Sequence, residues 1–123
     1  MSRLHRFALN SLRFYDTLPP SPRAQVPGVQ YYRASTGANA NYRAARRGRS
    51  RAEFISKLGT AVEEIDEALG WLVFMRDSSI AAEPALIAEA DELLRILNAS
   101  LTTARANATD ANTRQPATRR ATS

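Results

Sequence analysis

The sequence predicts an all-α protein, an antiparallel four-helix bundle, on three observations. Apolar residues recur three and four apart in separate segments. Clusters rich in proline, serine and glycine divide those segments. No stretch alternates apolar and polar residues as a half-buried strand does. A length of 123 residues fits one domain with one modest core. Short links favour antiparallel neighbours.

The first helix is predicted over residues 3–18, with Leu4, Phe7, Ala8, Leu12 and Tyr15 on its apolar face. Pro19, Pro20 and Pro22 end it, because a proline disfavours helix in the residue before it. A second helix is expected over 23–47. Ser21 and Pro22 can start it as a hydroxyl cap and a first-turn proline, while Pro27 and Gly28 offer a later start. Its middle is rich in small residues (Ala34, Ser35, Gly37, Ala38), which suits a closely approaching helix backbone. Gly37 lowers helix propensity by about 1 kcal/mol relative to alanine.

The third helix, predicted over 51–77, is the clearest. Ser50 and Glu53 have capping-box spacing. Phe54, Leu58, Ala61, Ile65, Ala68, Leu72 and Met75 then alternate four and three apart, the seam of a left-handed bundle. Ile55, Val62, Leu69 and Val73 lie on one flank of that seam. Trp71 and Phe74 lie on the other, near Glu64 and Glu67. This arc is wider than one four-helix core requires, so Glu64, Glu67, Trp71 and Phe74 are candidate subunit-interface residues.

The fourth helix is predicted over 83–106, with Pro84 in its first turn and Leu86, Ala90, Leu93, Leu97, Ser100 and Ala104 as its stripe. The bundle domain thus covers residues 1–106. Residues 107–123 lack large apolar side chains and read as a disordered basic tail.

Composition narrows the function classes. There is no cysteine, which excludes disulfides and thiolate chemistry and fits a reducing compartment. The longest apolar run is far short of the roughly 20 residues of a membrane helix. No apolar signal-peptide stretch follows the basic N-terminus. A soluble, cytoplasmic protein is expected. The single histidine, His5, is expected on the surface. It leaves neither a catalytic triad nor the Glu-x-x-His ligands of a di-iron bundle, so no catalytic residue, metal or cofactor is predicted.

Net charge is +5, and 16 of the 17 basic residues are arginine. Arg23 to Arg51 contains no acid, whereas the next two helices are mainly acidic. Arg43, Arg46, Arg47, Arg49 and Arg51 form a local cluster that can contact the phosphates of RNA or DNA. The same arginines can instead pair with the acidic helices or offset a helix dipole.

Three segments carry a family likeness. They are Ala40-Asn41-Tyr42-Arg43-Ala44-Ala45-Arg46-Arg47 continuing to Ile55, Glu63-Glu64-Ile65-Asp66-Glu67-Ala68-Leu69-Gly70-Trp71-Leu72, and Ala85-Leu86-Ile87-Ala88-Glu89-Ala90-Asp91-Glu92-Leu93-Leu94 continuing to Ser100. In that order and spacing they resemble the four-helix-bundle family named for the 23S ribosomal RNA intervening sequence. The resemblance implies a left-handed up-down-up-down bundle assembled as a homopentameric ring, without a settled function. Related accessory variability proteins of diversity-generating retroelements engage a reverse transcriptase and nucleic acid, which makes these partners expectations by analogy. The chain departs from the family at Ala44, where a glutamate is usual, and at Asn39, where a small residue is common. Glu64 and Glu67 are then expected to find other partners, such as Arg43 or Asn41.

Overall fold

The first and third helices begin where a serine hydroxyl takes a first-turn N–H, whereas the expected hydroxyl cap from Ser21 on the second helix does not form. The computed structural model describes residues 1–114, with side chains to Thr109. Helix α1 (Arg3–Asp16) starts at Ser2, whose hydroxyl accepts from the His5 N–H. Helix α2 (Pro22–Arg46) starts at Pro22 and runs through Pro27, so the later start is not used. Helix α3 (Arg51–Asp77) is capped by Ser50 Oγ accepting from the Glu53 N–H at 3.1 Å. The return bond from the Glu53 carboxylate is not made, so half of the expected capping box forms. At the far end Ser79 takes a left-handed turn at φ 60°, and the N–H groups of Ile80 and Ala81 donate to the Met75 carbonyl.

Helix α4 (Pro84–Arg114) continues past the expected end at residue 106. Alanine, asparagine and threonine there form a polar stretch that is still helical. The remainder of the predicted tail lies outside the described residues.

Helices consecutive in the chain pack together, most extensively α2 with α3, and α1 closes the ring against α4; the diagonal pairs do not meet. That is an antiparallel four-helix bundle, and no strand occurs among the described residues. Its core is the predicted α3 seam from Leu58 to Met75, together with Leu4, Phe7, Tyr31, Ala38, Leu86, Ala90, Leu93, Leu97 and Leu101.

Two expectations about α1 and α3 are corrected. On α1, Ser11 occupies the core position and Leu12 is 38% exposed. The Ser11 hydroxyl is satisfied by donating to the Phe7 carbonyl at 2.8 Å and by pairing with the Tyr31 hydroxyl at 2.5 Å. Tyr31 takes edge-on contacts from Phe7 and Phe14, and burial pushes its hydroxyl pKa well above the ordinary value. On α3, Ile55, Val62 and Leu69 pack against the core. The surplus apolar surface of that helix is therefore narrower than predicted.

Helix lengths differ in a way that matters below. Helix α1 has 14 residues and α4 has 31, about 21 Å against about 46 Å at 1.5 Å per residue. Arg3, at the start of α1, is held by Glu89 and Glu92 of α4 at 2.7 and 3.0 Å. Helix α4 runs on for several turns beyond that clamp.

Candidate functional site

The α2–α3 turn gathers the arginine cluster because Arg43, Arg46 and Arg47 close one helix while Arg49 and Arg51 open the next. All five are exposed. Among the described residues none of the five is in an ion pair. The Arg46 guanidinium lies 5.9 Å from the centre of the Tyr42 ring. Pairing with the acidic helices is therefore not the state of this cluster. The acids pair elsewhere: Glu89 and Glu92 with Arg3, Asp77 with Arg76, Asp91 with Arg95.

The structure also divides the cluster. Arg43, Arg47 and Arg49 line one surface hollow of about 480 Å³ with Ala40, Ala44 and Glu53. Arg46 joins Arg43 and Arg47 in a smaller one. Arg51 turns away into a third groove, between α3 and α4, of about 710 Å³, with Phe54, Ser100, Thr103 and Asn107. Sequence proximity alone did not separate Arg51 from the rest. Ala44, the departure from the family glutamate, lines the first hollow. A carboxylate at that position would sit among these guanidinium groups.

The candidate interface residues of α3 follow a second logic. Glu64 Oε1 accepts from Asn41 Nδ2 at 2.5 Å, which identifies Asn41 as its partner and leaves Arg43 out. The Glu64 carboxylate rests directly over Gly37, and a Cβ there would collide with Glu64 Oε2. A larger residue at 37 would therefore make the Glu64 carboxylate shift. Desolvation raises the Glu64 pKa above 4.5; the Asn41 hydrogen bond opposes that, and the charges of Glu67 and Glu63 reinforce it. Glu67 accepts a long bond from Trp71 Nε1 at 3.4 Å. Trp71 meets Phe74 edge to face at 5.7 Å between ring centres. Trp71 packs partly against the core, while Phe74 is 51% exposed.

His5 is corrected from a surface residue to a half-buried one, its Nδ1 3.2 Å from Asn39 Nδ2. The side-chain amide oxygen of Asn39, Oδ1, is buried without a hydrogen-bond partner. No group of three or more His, Asp or Glu side chains able to hold a metal ion occurs among the described residues. No helix there is long and apolar enough to cross a membrane.

The fold and the packing define the class, a four-helix bundle with an unpaired arginine end. A solved structure is similar to it: a protein of unknown function from the S23 ribosomal protein family of Bacteroides thetaiotaomicron. The two share 25% sequence identity at a TM-score of 0.75, over 81% of this chain and 92% of that one. No protein-family model matches the chain, and no curated protein matches it in sequence.

Proposed function

We propose that this chain is a non-enzymatic, homo-oligomeric scaffold or adaptor of the S23 and intervening-sequence kind. The observation that carries the reading is apolar exposure on two different faces. Phe74 on α3, 51% exposed beside Trp71, is one. Leu9 and Leu12 on α1 are the other. Two unlike patches on one subunit suit a head-to-tail contact, which closes into a ring when the rotation allows. The homopentamer comes from the family resemblance. The similarity to the S23 protein of Bacteroides thetaiotaomicron supports membership in that group.

Light scattering on the purified chain tests this reading. A mass several times that of the subunit is expected at micromolar concentration, and Phe74→Glu should reduce it to the monomer with helix content unchanged. A monomeric wild-type protein at that concentration overturns it.

A second reading is favoured by a separate observation, the unpaired state of Arg43, Arg46, Arg47 and Arg49 among the described residues. On that reading the protein is an RNA- or DNA-binding accessory, related to a retroelement or to ribosomal RNA, and these guanidinium groups contact phosphates. Binding to labelled RNA and DNA should then fall steeply between about 50 and 200 mM salt. Lack of binding at the lower salt removes this reading.

A further inference from the structure

We propose that the lane α1 leaves vacant beside α4 is a docking groove for a short amphipathic, acidic helix of a partner protein. The proposal gives the adaptor reading a partner class and rests on that reading.

Four observations define the lane. First, α1 begins at Arg3, clamped to Glu89 and Glu92. Second, the same side of α4 continues beyond the clamp without that cover: Ile96, four residues after Glu92, is 44% exposed, and Ser100 and Thr103 line the open groove. Third, the α3 seam residue Phe54 belongs to the core stripe by spacing yet lines this groove half-buried, because no fourth helix covers it. Fourth, the α2 positions that face α1 run on past it. Asn39 meets His5, and Tyr42 and Arg46 follow three and seven residues later on the same face.

The groove therefore has an apolar floor at Phe54, a small-residue wall at Ala99, Ser100 and Ala104, and a cation at its end, Arg51. By helical register Arg46 falls on the α2 face that runs on past α1, although its side chain lines a separate small hollow with Arg43 and Arg47. A helix entering here takes the place of a missing helical neighbour and restores four-helix packing. The small wall lets its backbone approach closely. Arg46 and Arg51, neither in an ion pair among the described residues, match acidic side chains on its flanks. A duplex nucleic acid uses the cations through its phosphates and leaves the apolar floor below them uncovered.

The test is fluorescence anisotropy of the full chain with three labelled synthetic peptides of about fourteen residues. The first places leucine at every third and fourth position with glutamate on the flanks. The second has the same composition with the leucine spacing scrambled, and the third replaces glutamate by lysine. Saturable binding of the first at about 10 μM or tighter is expected, weakened at least about tenfold in the other two. Ser100→Trp fills the groove from an exposed position and should abolish binding, while Arg46→Glu with Arg51→Glu should weaken it about tenfold. Equal binding of the scrambled peptide, or no effect of Ser100→Trp, overturns the proposal.

A fusion protein keeps the question decidable if free peptides bind too weakly. The first peptide sequence, fused before Ser2 so that it continues α1 down the lane, should raise the melting temperature above that of the scrambled fusion. Equal melting temperatures overturn the proposal. An RNA oligonucleotide of equal charge that competes with wild type and with Ser100→Trp alike assigns the arginines to nucleic acid instead. Light scattering on the same samples separates the outcomes: an intact oligomer without peptide binding refutes the groove alone, and a monomer refutes the scaffold reading beneath it.

Discussion

The half of the bundle that α1 covers and the end that it leaves uncovered treat polar groups in opposite ways. Under α1, core-facing polar groups are paired, with the side-chain oxygen of Asn39 beside His5 as the exception. Ser11 bonds Tyr31 in the core and Tyr15 donates to Gln25 where both are part-buried, while Arg3 holds Glu89 and Glu92 at the surface. At the uncovered end, Arg43, Arg47, Arg49 and Arg51 have no such partner among the described residues, and Arg46 rests on a ring. A fourth helix excludes water and makes an unpaired polar group costly, so pairing follows. Where it is missing, water solvates the cations and they stay available. The difference separates a packed, paired region from one whose cations remain in water.

The largest test of this contrast compares two aromatic truncations. Tyr31→Ala, in the covered half, should destabilise by about 3–5 kcal/mol in urea unfolding. Phe54→Ala, at the uncovered end, should lose about half as much, because its ring is only half-buried. Equal losses would erase the distinction between the two regions. Next is a substitution near the α3–α4 turn, where Ser79 holds φ at 60°. Ser79→Gly relieves a left-handed strain and should raise stability by about 1 kcal/mol.

Smaller still is the effect of Glu64. Its carboxyl pKa is raised in the folded chain, so folding favours the protonated form. This penalty is absent below the ordinary carboxylate pKa and complete above the raised one, so it grows as pH rises through that interval. Glu64→Gln removes the charge and keeps an oxygen for Asn41. A small gain in urea midpoint is expected at pH 7, vanishing near pH 4.5. Glu89 works in the opposite sense, because the hydrogen bond from Arg3 lowers its pKa. Its stabilisation is present above the ordinary carboxylate value and is lost as pH falls through the lowered one. The smallest effect belongs to the arginines. Replacing Arg46, Arg47 and Arg49 together by alanine should change stability by no more than about 0.5 kcal/mol, while removing any salt-dependent RNA binding. A large loss of stability would return the cluster to a structural role.

The fold was legible where a local rule and the core agreed. Ser50 starts α3 as its hydroxyl chemistry predicts, and the α3 seam from Leu58 to Met75 is buried as its spacing requires. Apolar periodicity favours Leu12, but Ser11 faces the core by virtue of its bonds to Phe7 and Tyr31, which no periodicity reveals. The end of α4 was illegible because its helix persists through a polar stretch without core contacts to announce it. The arginine cluster was visible as a run, but its division at Arg51 depends on how α3 leaves the turn. Asn41 was legible as a partner of Glu64 only through the family resemblance, and Gly37 acquires its meaning from Glu64, more than twenty residues away. The groove had one sequence signal, the unequal lengths predicted for the first and fourth helices.

That inequality has a consequence for how the molecule moves. Past Leu101, no described side chain of α4 is fully buried. This overhang can open and close without the global unfolding that releases Leu86 or Ala90, so its backbone amides exchange with solvent on a helix–coil timetable of their own. Protection along α4 should decline as a gradient, steepest beyond Leu101. A molecule bound against the overhang slows that breathing, and the bundle end itself becomes a reporter of occupancy.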